Sequence, residues 1–277
     1  MTDATPKQAC VMGWPIEHSL SPRIMGYWIA QYGLNATYNA MPVTLEQLKD
    51  ALQMLIDNDY AGCNLTIPLK EEAMALMDSH DDSALISGAV NTVVVRDGKL
   101  KGYNSDGFGF MESLKIQFPE WRGDKVVVVG TGGAARGVIS ALRAAGAQHF
   151  ALVNRTPERA EKIVSGLGLN AEVFSWENRQ QALAGATMLV NGSCLGMVGQ
   201  PPLEIDLSTL PVDAGVCDLV YRPLQTPLLM SACARGNPTV EGLGMLLNQA
   251  RLGFREWFGQ DPEVTLELYE DMRKAAA

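Results

Sequence analysis

A glycine-rich turn lies near the middle of the chain, where four valines at residues 126–129 are followed by Gly-Thr-Gly-Gly-Ala-Ala at residues 130–135. Four consecutive valines suit a strand that is buried on both faces, and the alanine-rich segment after the turn is typical of a helix. In such a strand–turn–helix unit, Gly130 permits the tight turn, Gly132 lets a pyrophosphate approach the backbone, and Ala135 keeps helix and strand close. Unpaired N–H groups at the helix start attract phosphate. The pattern predicts a dinucleotide site, although the same turn also occurs in α/β domains without a ligand.

The end of the next predicted strand indicates which dinucleotide binds. This strand covers residues 149–153, and Arg155 and Thr156 follow it closely. NAD-binding domains usually place an acidic residue about 20 residues after the glycines, where it binds the ribose 2′-hydroxyl. This chain instead has Arg155, with Arg159 one turn into the next helix, and guanidinium groups match a 2′-phosphate. The pattern therefore predicts NADP. Thr156 precedes a proline and is also predicted to be the N-cap of that helix.

Two serines follow the first predicted strand, which covers residues 8–13. Ser21 precedes a proline and is predicted to be the N-cap of a helix, and Ser19 lies two positions earlier. In an extended segment, residues i and i+2 point the same way, so the two hydroxyl groups can converge on one carboxylate. The simpler explanation, that Ser21 only caps the helix and Ser19 only belongs to a turn, stays open at this point.

Two ionisable residues stand close to predicted element boundaries. Lys70 follows a strand predicted to begin at Ala61 and to end at Pro68, and Asp106 precedes a helix predicted from Phe108. Open α/β sheets place their chemistry at the carboxyl ends of strands, so Lys70 can serve as a proton donor and acceptor. Alternatively, Lys70 is a surface residue and Asp106 only an N-cap.

The order of the predicted elements indicates an α/β protein with two domains. Strands over residues 86–95 and 99–104 are joined by an Asp-Gly hairpin turn, and a polar linker at residues 119–123 precedes the glycine-rich unit. Apolar helices at the end of the chain can pack back on the first domain. We therefore predict one domain of residues 1–106 together with 242–277 and a Rossmann-type domain of residues 107–241, with the active site in the cleft between them.

Composition limits the partners of the chain. Its net charge is −9, which argues against a nucleic-acid-binding or anionic-membrane surface. No segment approaches the about 18 consecutive apolar residues of a membrane-spanning helix, and no secretion signal is recognisable. The five cysteines are scattered and form no C-x-x-C motif, so we expect free thiols, a cytoplasmic location and no metal site. A homodimer is compatible with the sequence, which does not decide the oligomeric state.

Eight short motifs stand in a fixed order along the chain. They are Gly13-x-Pro15-Ile-x-His18-Ser19-x-Ser21-Pro22, Asn64-Leu-Thr66-x-Pro68-x-Lys70, Gly88-Ala-Val-Asn91-Thr, Gly102-x-Asn104-Ser-Asp106-Gly107, Gly130-Thr-Gly-Gly-Ala-Ala-Arg136, Asn154-Arg-Thr156, Asp218-x-Val-Tyr221 and Gly244-Met-Leu-x-x-Gln249. Together they resemble the shikimate dehydrogenase family over nearly the whole chain. The resemblance implies reversible, NADPH-dependent reduction of 3-dehydroshikimate to shikimate, in the biosynthesis of chorismate and aromatic amino acids. It also implies an N-terminal α/β substrate domain and a Rossmann-type NADP-binding domain.

The resemblance assigns roles residue by residue. Lys70 and Asp106 resemble the catalytic pair. Hydride transfer to a carbonyl leaves an alkoxide that needs a proton, which Lys70 can supply. Ser19 and Ser21 resemble the pair that binds the substrate carboxylate. The residues that resemble the groups binding the ring hydroxyls are Thr66, Asn91, Asp106 and Gln249, with Tyr221 assisting. The residues that resemble the cofactor site are Gly130, Gly132, Gly133, Ala134, Ala135, Asn154, Arg155, Thr156 and Arg159, with Met197, Leu219 and Gly242 towards the nicotinamide half.

Two departures from the family pattern leave related substrates open. Met25 and Gly26 stand where the family usually has His-Asn, and Ser105 stands where it usually has Thr. The shape near the substrate can therefore differ, and quinate or an amino-substituted analogue of shikimate are alternative substrates. Ser21 favours shikimate, because quinate-oxidising relatives tend to carry a different residue there.

Other functional classes fit the sequence less well. A short-chain dehydrogenase needs Tyr-x-x-x-Lys, and none of the seven tyrosines has a lysine four residues later. None of the three histidines lies in the setting of a 2-hydroxy-acid dehydrogenase. A non-catalytic NADP-binding sensor remains a competitor, but it would not need both Lys70 and Asp106.

Overall fold

The computed structural model describes residues 5–276, which form two compact units. The first comprises residues 5–105 with 249–275, and the second comprises residues 106–248 with residue 276. Each unit has its own six-stranded sheet with helices. These limits differ by a few residues from the predicted domain boundaries. The assignment of one domain to substrate and the other to cofactor stays a prediction, because packing alone does not show what either binds.

The first unit contains a mixed sheet. Its elements up to residue 105 are β1 (Lys7–Gly13), α1 (Ser21–Gln31), β2 (Ala36–Pro42), α2 (Leu48–Asp57), β3 (Gly62–Leu65), a 3-10 helix (Glu72–Leu76), β4 (Ser79–His80), α3 (Asp82–Ser87), β5 (Thr92–Arg96) and β6 (Lys99–Tyr103). The strand order is β2-β1-β3-β5-β6-β4. Strands β2, β1 and β3 are parallel, whereas β5 runs antiparallel to both β3 and β6. The buried leucines of α2 pack on one face of this sheet.

The second unit contains an entirely parallel sheet. Its elements are α4 (Asp106–Gln117), β7 (Lys125–Val129), α5 (Gly133–Ala144), β8 (His149–Val153), α6 (Pro157–Leu167), β9 (Ala171–Phe174), a 3-10 helix (Trp176–Leu183), β10 (Met188–Asn191), β11 (Gly215–Asp218), α7 (Pro227–Arg235) and β12 (Thr239–Val240). Two further helices follow along the chain, α8 (Gly242–Phe258) and α9 (Leu266–Ala276), and their residues 249–275 belong to the first unit. The strand order is β12-β11-β10-β7-β8-β9. This is the order of a Rossmann fold, and it reverses between β7 and β10.

Strand β7 is covered on both faces. Val126 and Val128 belong to an apolar cluster with side chains of α4 and α5, and Val127 and Val129 belong to a second cluster with side chains of α7. Alternate residues of a strand point to opposite faces, and all four valines are at most 1% exposed. Burial of each side chain contributes about 1.5–3 kcal/mol. The valine run therefore predicts this doubly covered strand correctly.

Three predicted element starts in the first unit are wrong. Ser21 is the first residue of α1 rather than its N-cap, which is Leu20. The segment Thr44-Leu-Glu-Gln47 has the spacing of a capping box, which predicts a helix that opens there. Helix α2 begins only at Leu48, although Gln47 Oε1 does accept a hydrogen bond from the Thr44 N–H at 3.0 Å. The strand predicted over residues 86–95 begins only at Thr92.

The misassigned strand start has a local cause. Residues 82–87 form helix α3, because the side chain of Asp81 accepts a hydrogen bond from the Ser83 N–H and Gly88 ends the helix at a φ of 63°. Ile86 and the apolar residues after Gly88 suggested one continuous strand, but the two caps decide the structure of residues 82–87. At the start of the second unit, Asp106 is the first residue of α4 and not the residue before the helix.

Among residues 5–276, no helix is both long and apolar enough to cross a membrane.

Candidate active site and cofactor site

Four segments of the first unit meet at one edge of its sheet. Strands β1 and β3 are parallel, with Met12 opposite Leu65, so their carboxyl ends lie side by side. Strand β5 runs the other way and places Thr92 opposite Asn64 and also opposite Tyr103, near the end of β6. The carboxyl ends of β1, β3 and β6 and the amino end of β5 therefore share this edge. The predicted site residues in or beside these segments are Ser19, Ser21, Thr66, Lys70 and Asn91.

The segments after β1 and β3 are in direct contact. The Thr66 N–H donates to the Met12 carbonyl at 2.9 Å, and the Trp14 N–H donates to the Ile67 carbonyl at 3.0 Å. A Cβ atom on Gly13 would lie 2.3 Å from Cγ2 of Thr66. Only glycine therefore permits this approach, which sets the position of Thr66 relative to the segment that carries the two serines.

The two serines are linked to each other. Ser19 Oγ accepts a hydrogen bond from the Ser21 N–H at 3.3 Å, and Ser21 is buried. Because Ser21 lies inside α1, its hydroxyl does not cap this helix. The explanation of Ser21 as a cap therefore fails, whereas convergence of both hydroxyls on a carboxylate stays a prediction.

Lys70 lies at the start of the segment that leads into the 3-10 helix Glu72–Leu76, and it is partly buried. Its carbonyl accepts a hydrogen bond from the Val90 N–H at 2.8 Å. This bond connects the Lys70 segment to the residue that precedes Asn91. Lys70 and Asn91 are therefore held in neighbouring segments of the same sheet edge.

Asn91 is the centre of a buried polar cluster. It is 2% exposed. Its Oδ1 accepts from the Ser105 N–H at 2.9 Å, and its Nδ2 lies 3.0 Å from Ser105 Oγ and 3.4 Å from Gln249 Oε1. Ser105 Oγ is also 3.3 Å from Gln249 Oε1. The structure therefore brings together Asn91 and Gln249, two predicted site residues that are distant in sequence, and places the Ser105 hydroxyl between them.

A second layer of buried polar groups supports Asn91. The Tyr38 hydroxyl donates to Asn64 Oδ1 at 2.6 Å, and Asn64 Nδ2 donates to the Asn91 carbonyl at 3.2 Å and to Thr92 Oγ1 at 3.1 Å. Burial, together with two neighbouring cysteine thiols, holds the pKa of Tyr38 well above its ordinary value, so this hydroxyl stays a neutral donor. Sequence reasoning missed Tyr38 and Thr92. Asn64, a polar residue within a buried strand, was the available signal.

The glycine-rich turn of the second unit has the predicted backbone geometry. Gly130 has a φ of 95°, and a Cβ atom there would lie 3.0 Å from the Gly192 backbone. Ala135 is fully buried, and a Cβ atom on Gly192 would lie 2.8 Å from the Ala135 Cβ. The turn after β7 therefore packs tightly against the end of β10. Gly130 and Gly192 therefore have no room for a side chain, and the buried Ala135 has none for a longer one.

Gly132 differs from its neighbours because space remains beside it. It is the N-cap of α5, and a Cβ atom built on it would meet no atom of residues 5–276 within 4 Å apart from its sequence neighbours. The first N–H groups of a helix have no partner within the helix. Gly133, Ala134 and Ala135 supply these groups in α5. Open space beside such N–H groups fits a pyrophosphate.

The end of β8 presents cationic side chains. Arg155 and Arg159 are exposed there. Asn154 Nδ2 donates to the Thr156 carbonyl at 2.8 Å and so shapes this turn. Thr156 occupies the N-cap position of α6, but within the described part of the chain its side chain makes no capping hydrogen bond. The prediction of Thr156 as N-cap is therefore correct for its position and wrong for its side chain.

The remaining predicted residues of the second unit lie in different settings. Asp106 is buried at the start of α4, and Tyr221 is partly buried. Met197 is 36% exposed in the loop after β10. Leu219 directly follows β11, and a Cβ atom on Gly242 would lie 2.7 Å from the Leu219 carbonyl oxygen.

The two sets of residues suit different ligands. The edge of the first sheet offers hydroxyl groups, carboxamides and one ammonium group, which suit a small hydroxylated acid. The carboxyl edge of the second sheet offers helix N–H groups and exposed guanidinium groups, which fit the phosphates of NADP. Within residues 5–276, no group of three or more His, Cys, Asp or Glu side chains is placed to hold a metal ion.

Comparison with known proteins identifies the family of the chain. Family models match residues 11–93 (shikimate dehydrogenase substrate binding domain), 112–193 (shikimate / quinate 5-dehydrogenase) and 242–276 (shikimate 5′-dehydrogenase C-terminal domain). The chain is 46% identical to the shikimate dehydrogenase (NADP(+)) of Paramagnetospirillum magneticum over 263 aligned residues. The aligned region covers 94% of this chain and 95% of the relative. The chain belongs to the shikimate dehydrogenase family.

Solved structures of this family share the fold. Shikimate 5-dehydrogenase from Thermus thermophilus, in complex with NADP(H) and shikimate, is 36% identical, with a TM-score of 0.84 over 98% of both chains. Quinate dehydrogenase from Corynebacterium glutamicum, in complex with NAD, is 28% identical, with a TM-score of 0.86 over 98% of both chains. The predicted fold class, an α/β protein with a substrate domain and a Rossmann-type domain, is confirmed.

Proposed function

We propose that the protein catalyses the reversible, NADPH-dependent reduction of 3-dehydroshikimate to shikimate. The observation that carries this proposal is the similarity along the whole chain to the Thermus thermophilus enzyme, whose structure holds NADP(H) and shikimate. The relatives named shikimate dehydrogenase (NADP(+)) support the same cofactor. The reaction belongs to the biosynthesis of chorismate and aromatic amino acids.

The cofactor choice is supported by the end of β8. Arg155 is exposed where an NAD-binding domain usually has an acidic residue, and Arg159 is exposed one turn later. We assign to these arginines, with Asn154 and Thr156, the binding of the 2′-phosphate and adenosine. The turn from Gly130 to Ala135 would hold the pyrophosphate, and Met197, Leu219 and Gly242 would lie towards the nicotinamide.

The substrate would bind at the carboxyl edge of the first sheet. We assign the substrate carboxylate to Ser19 and Ser21, whose linked positions support a joint role. Thr66, Asn91 and Gln249 would bind ring hydroxyl groups, and Tyr221 would assist. The Asn91–Ser105–Gln249 cluster supports this assignment, because its hydrogen bonds hold two carboxamide groups in fixed orientations.

The chemical step requires a hydride and a proton. Bound NADPH supplies the hydride to the substrate carbonyl. Lys70 donates a proton to the developing alkoxide in the reducing direction and accepts it in the oxidising direction. Asp106 orients the Lys70 ammonium group and accepts a hydrogen bond from a substrate hydroxyl. Its burial limits its access to water, which strengthens both interactions.

Domain roles and location complete the proposal. We assign substrate binding to residues 1–106 with 242–277 and NADP binding to residues 107–241. All five cysteines are free thiols, which suits the reducing cytoplasm. A homodimer is the assembly to test for by light scattering.

The deciding experiment measures initial rates of the purified protein with shikimate or quinate, each combined with NADP⁺ or NAD⁺. We expect shikimate with NADP⁺ to give a kcat/KM at least about 100-fold above the other three pairs, since a site built for one polar pattern rejects analogues strongly. A higher kcat/KM with quinate or NAD⁺ would favour the second candidate, a quinate dehydrogenase, to which the Corynebacterium glutamicum similarity points. NADPH binding without turnover of any such acid would instead indicate a sensor.

A further inference from the structure

A buried carboxylate ends strand β11. Asp218 is 1% exposed. Its Oδ1 accepts hydrogen bonds from Asn191 Nδ2 at 2.9 Å and from the Val220 N–H at 3.0 Å, and its Oδ2 accepts from Thr226 Oγ1 at 2.7 Å. One carboxylate thus joins the end of β10, the turn after β11 and the N-cap of α7.

Asn191 extends this network into the loop after β10. It is fully buried and lies opposite Asp218 in the parallel pair β10–β11. Its Oδ1 accepts from the Ser193 N–H at 3.1 Å and from Ser193 Oγ at 2.7 Å, and its Nδ2 also donates to the Leu195 carbonyl at 2.9 Å. The Leu219 N–H donates to the Asn191 carbonyl at 3.0 Å. The two side chains together therefore set the loops after β10 and β11.

The turn after β11 is also packed closely against the start of α8. A Cβ atom on Gly242 would lie 2.7 Å from the Leu219 and Val220 carbonyl oxygens and 2.8 Å from the Asp218 carbonyl oxygen. A change in the Asp218 turn would therefore displace Leu219, Val220 and the first residue of α8 together.

The loops after β10 and β11 lie on one half of the Rossmann sheet, and Arg155 and Arg159, which follow β8, lie on the other half. A dinucleotide spans the two halves across the point where strand order reverses, between β7 and β10. Arg155 follows β8 on one half, so the adenosine half of the cofactor belongs there. The nicotinamide half then belongs over the loops that follow β10 and β11.

We propose that Asp218 is a positioning residue that orients Leu219 and Tyr221 towards the nicotinamide half of the cofactor. The inference rests on the proposed function and adds a residue to it. Asp218 itself does not touch the cofactor. It acts through the backbone of residues 219–221, which its carboxylate holds by the Val220 N–H.

A carboxylate is a costly way to join loops if packing is its only purpose. Burial raises the pKa of Asp218 to about 6, although hydrogen bonds from Thr226, Val220 and Asn191 partly offset this effect. Buried charged groups destabilise the fold unless fully paired, and functional sites are where such groups persist.

The test compares the binding of two ligands, NADPH and adenosine 2′,5′-bisphosphate, to the full-length protein and its variants by calorimetry. Asp218→Ala removes three hydrogen bonds. We expect the Kd for NADPH to rise about 10-fold and kcat to fall about 100-fold, whereas the Kd for adenosine 2′,5′-bisphosphate changes less than about 2-fold. Asp218→Asn should recover most of both losses, because its amide oxygen can still accept from Asn191 and Val220.

The matched control is Asn237→Ala. Asn237 is also buried in the second unit, and its Nδ2 donates to the carbonyls of Pro211 and Ala214, which precede β11. This variant should lower the melting temperature and leave the ratio of the two dissociation constants unchanged.

Three outcomes would decide against the inference. An unchanged kcat and NADPH affinity in Asp218→Ala would overturn it and leave the proposed function standing. Equal weakening of both ligands would show a structural role only. If the parent protein neither binds NADPH nor oxidises shikimate, the proposed function itself fails. Should Asp218→Ala not fold, Thr226→Val against Thr226→Ser gives the same comparison, because only serine retains the hydroxyl that donates to Asp218.

Discussion

Asn91 and Ser105 form a reciprocal pair, in which Asn91 Oδ1 accepts from the Ser105 N–H at 2.9 Å and Asn91 Nδ2 donates to Ser105 Oγ at 3.0 Å. This pair fixes the orientation of the Asn91 carboxamide. Ser105 Oγ also lies 3.3 Å from Gln249 Oε1. The hydroxyl of Ser105 therefore orients two carboxamide groups, although it is fully buried.

Replacing Ser105 by alanine should weaken substrate binding. The variant loses the hydroxyl but keeps the backbone bond to Asn91, so we expect the KM for shikimate to rise about 3- to 10-fold, the equivalent of one neutral hydrogen bond. The KM for NADP⁺ should not change. Ser105→Thr, which introduces the residue usual in the family, is the control and should retain activity. Steady-state kinetics with each substrate varied in turn provides the measurement, and a rise in both KM values would argue against a local role.

Lys70→Ala should affect turnover more than binding. Without a proton donor at this position, we expect kcat to fall about 10²- to 10⁴-fold with a smaller change in KM. Lys115→Ala is the control, because Lys115 is an exposed residue of α4 paired with Glu112. Rates are measured in both directions of the reaction. An unchanged kcat would remove Lys70 from the mechanism.

Arg155→Ala should lower the preference for NADP⁺. Loss of a charge-assisted contact to the 2′-phosphate should reduce kcat/KM for NADP⁺ about 10- to 100-fold and leave kcat/KM for NAD⁺ within about 2-fold. Arg143→Ala tests for nonspecific effects of lost charge, since Arg143 is exposed in the last turn of α5. The assignment is wrong if both cofactors lose the same factor.

Gly132→Ala should separate cofactor binding from stability. The added methyl group meets no described protein atom within 4 Å other than its sequence neighbours, and the φ of −74° is accessible to alanine. We therefore expect the melting temperature to stay unchanged and the Kd for NADPH to rise about 10-fold or more, because the methyl group would occupy the approach of the pyrophosphate. Gly166→Ala in α6 is the control. Unchanged NADPH affinity would place the pyrophosphate elsewhere.

The free energy of unfolding should depend on the ionisation of Asp218. Its folded pKa is raised to about 6, whereas an unfolded Asp titrates near about 4. Below pH 4 both states are protonated. As pH rises from about 4 to 6, the unfolded state ionises first, so the folded protein loses stability, on the order of 3 kcal/mol at most, and the loss is constant above pH 6. The measurement is urea unfolding of the parent and of Asp218→Asn at pH 4.5, 5.5 and 7.5. The free energy of unfolding of the parent, relative to that of Asp218→Asn, should fall as pH rises. A difference between the two proteins that is independent of pH would contradict the prediction.

Local features of the fold follow from the sequence because short-range physics decides them. The valines of β7 and the Asp97-Gly98 hairpin turn are both present as expected. Each depends on residues within about one turn or one strand pairing. The prediction of an element start failed where an apolar run and helix caps lay in the same segment. An apolar run suggested a strand at residues 86–95, but the caps at Asp81 and Gly88 make residues 82–87 helical.

The sequence by itself determined the residue types available for chemistry and their order, and with them the fold class. Only the tertiary structure decided which of them meet. Gln249 reaches Asn91 and Ser105 from a distant helix, and Asn191 faces Asp218 because β10 and β11 pair in one register. A hydrogen bond requires donor and acceptor within about 3.5 Å. Sequence spacing cannot specify that distance between remote segments, whereas strand order, register and packing do.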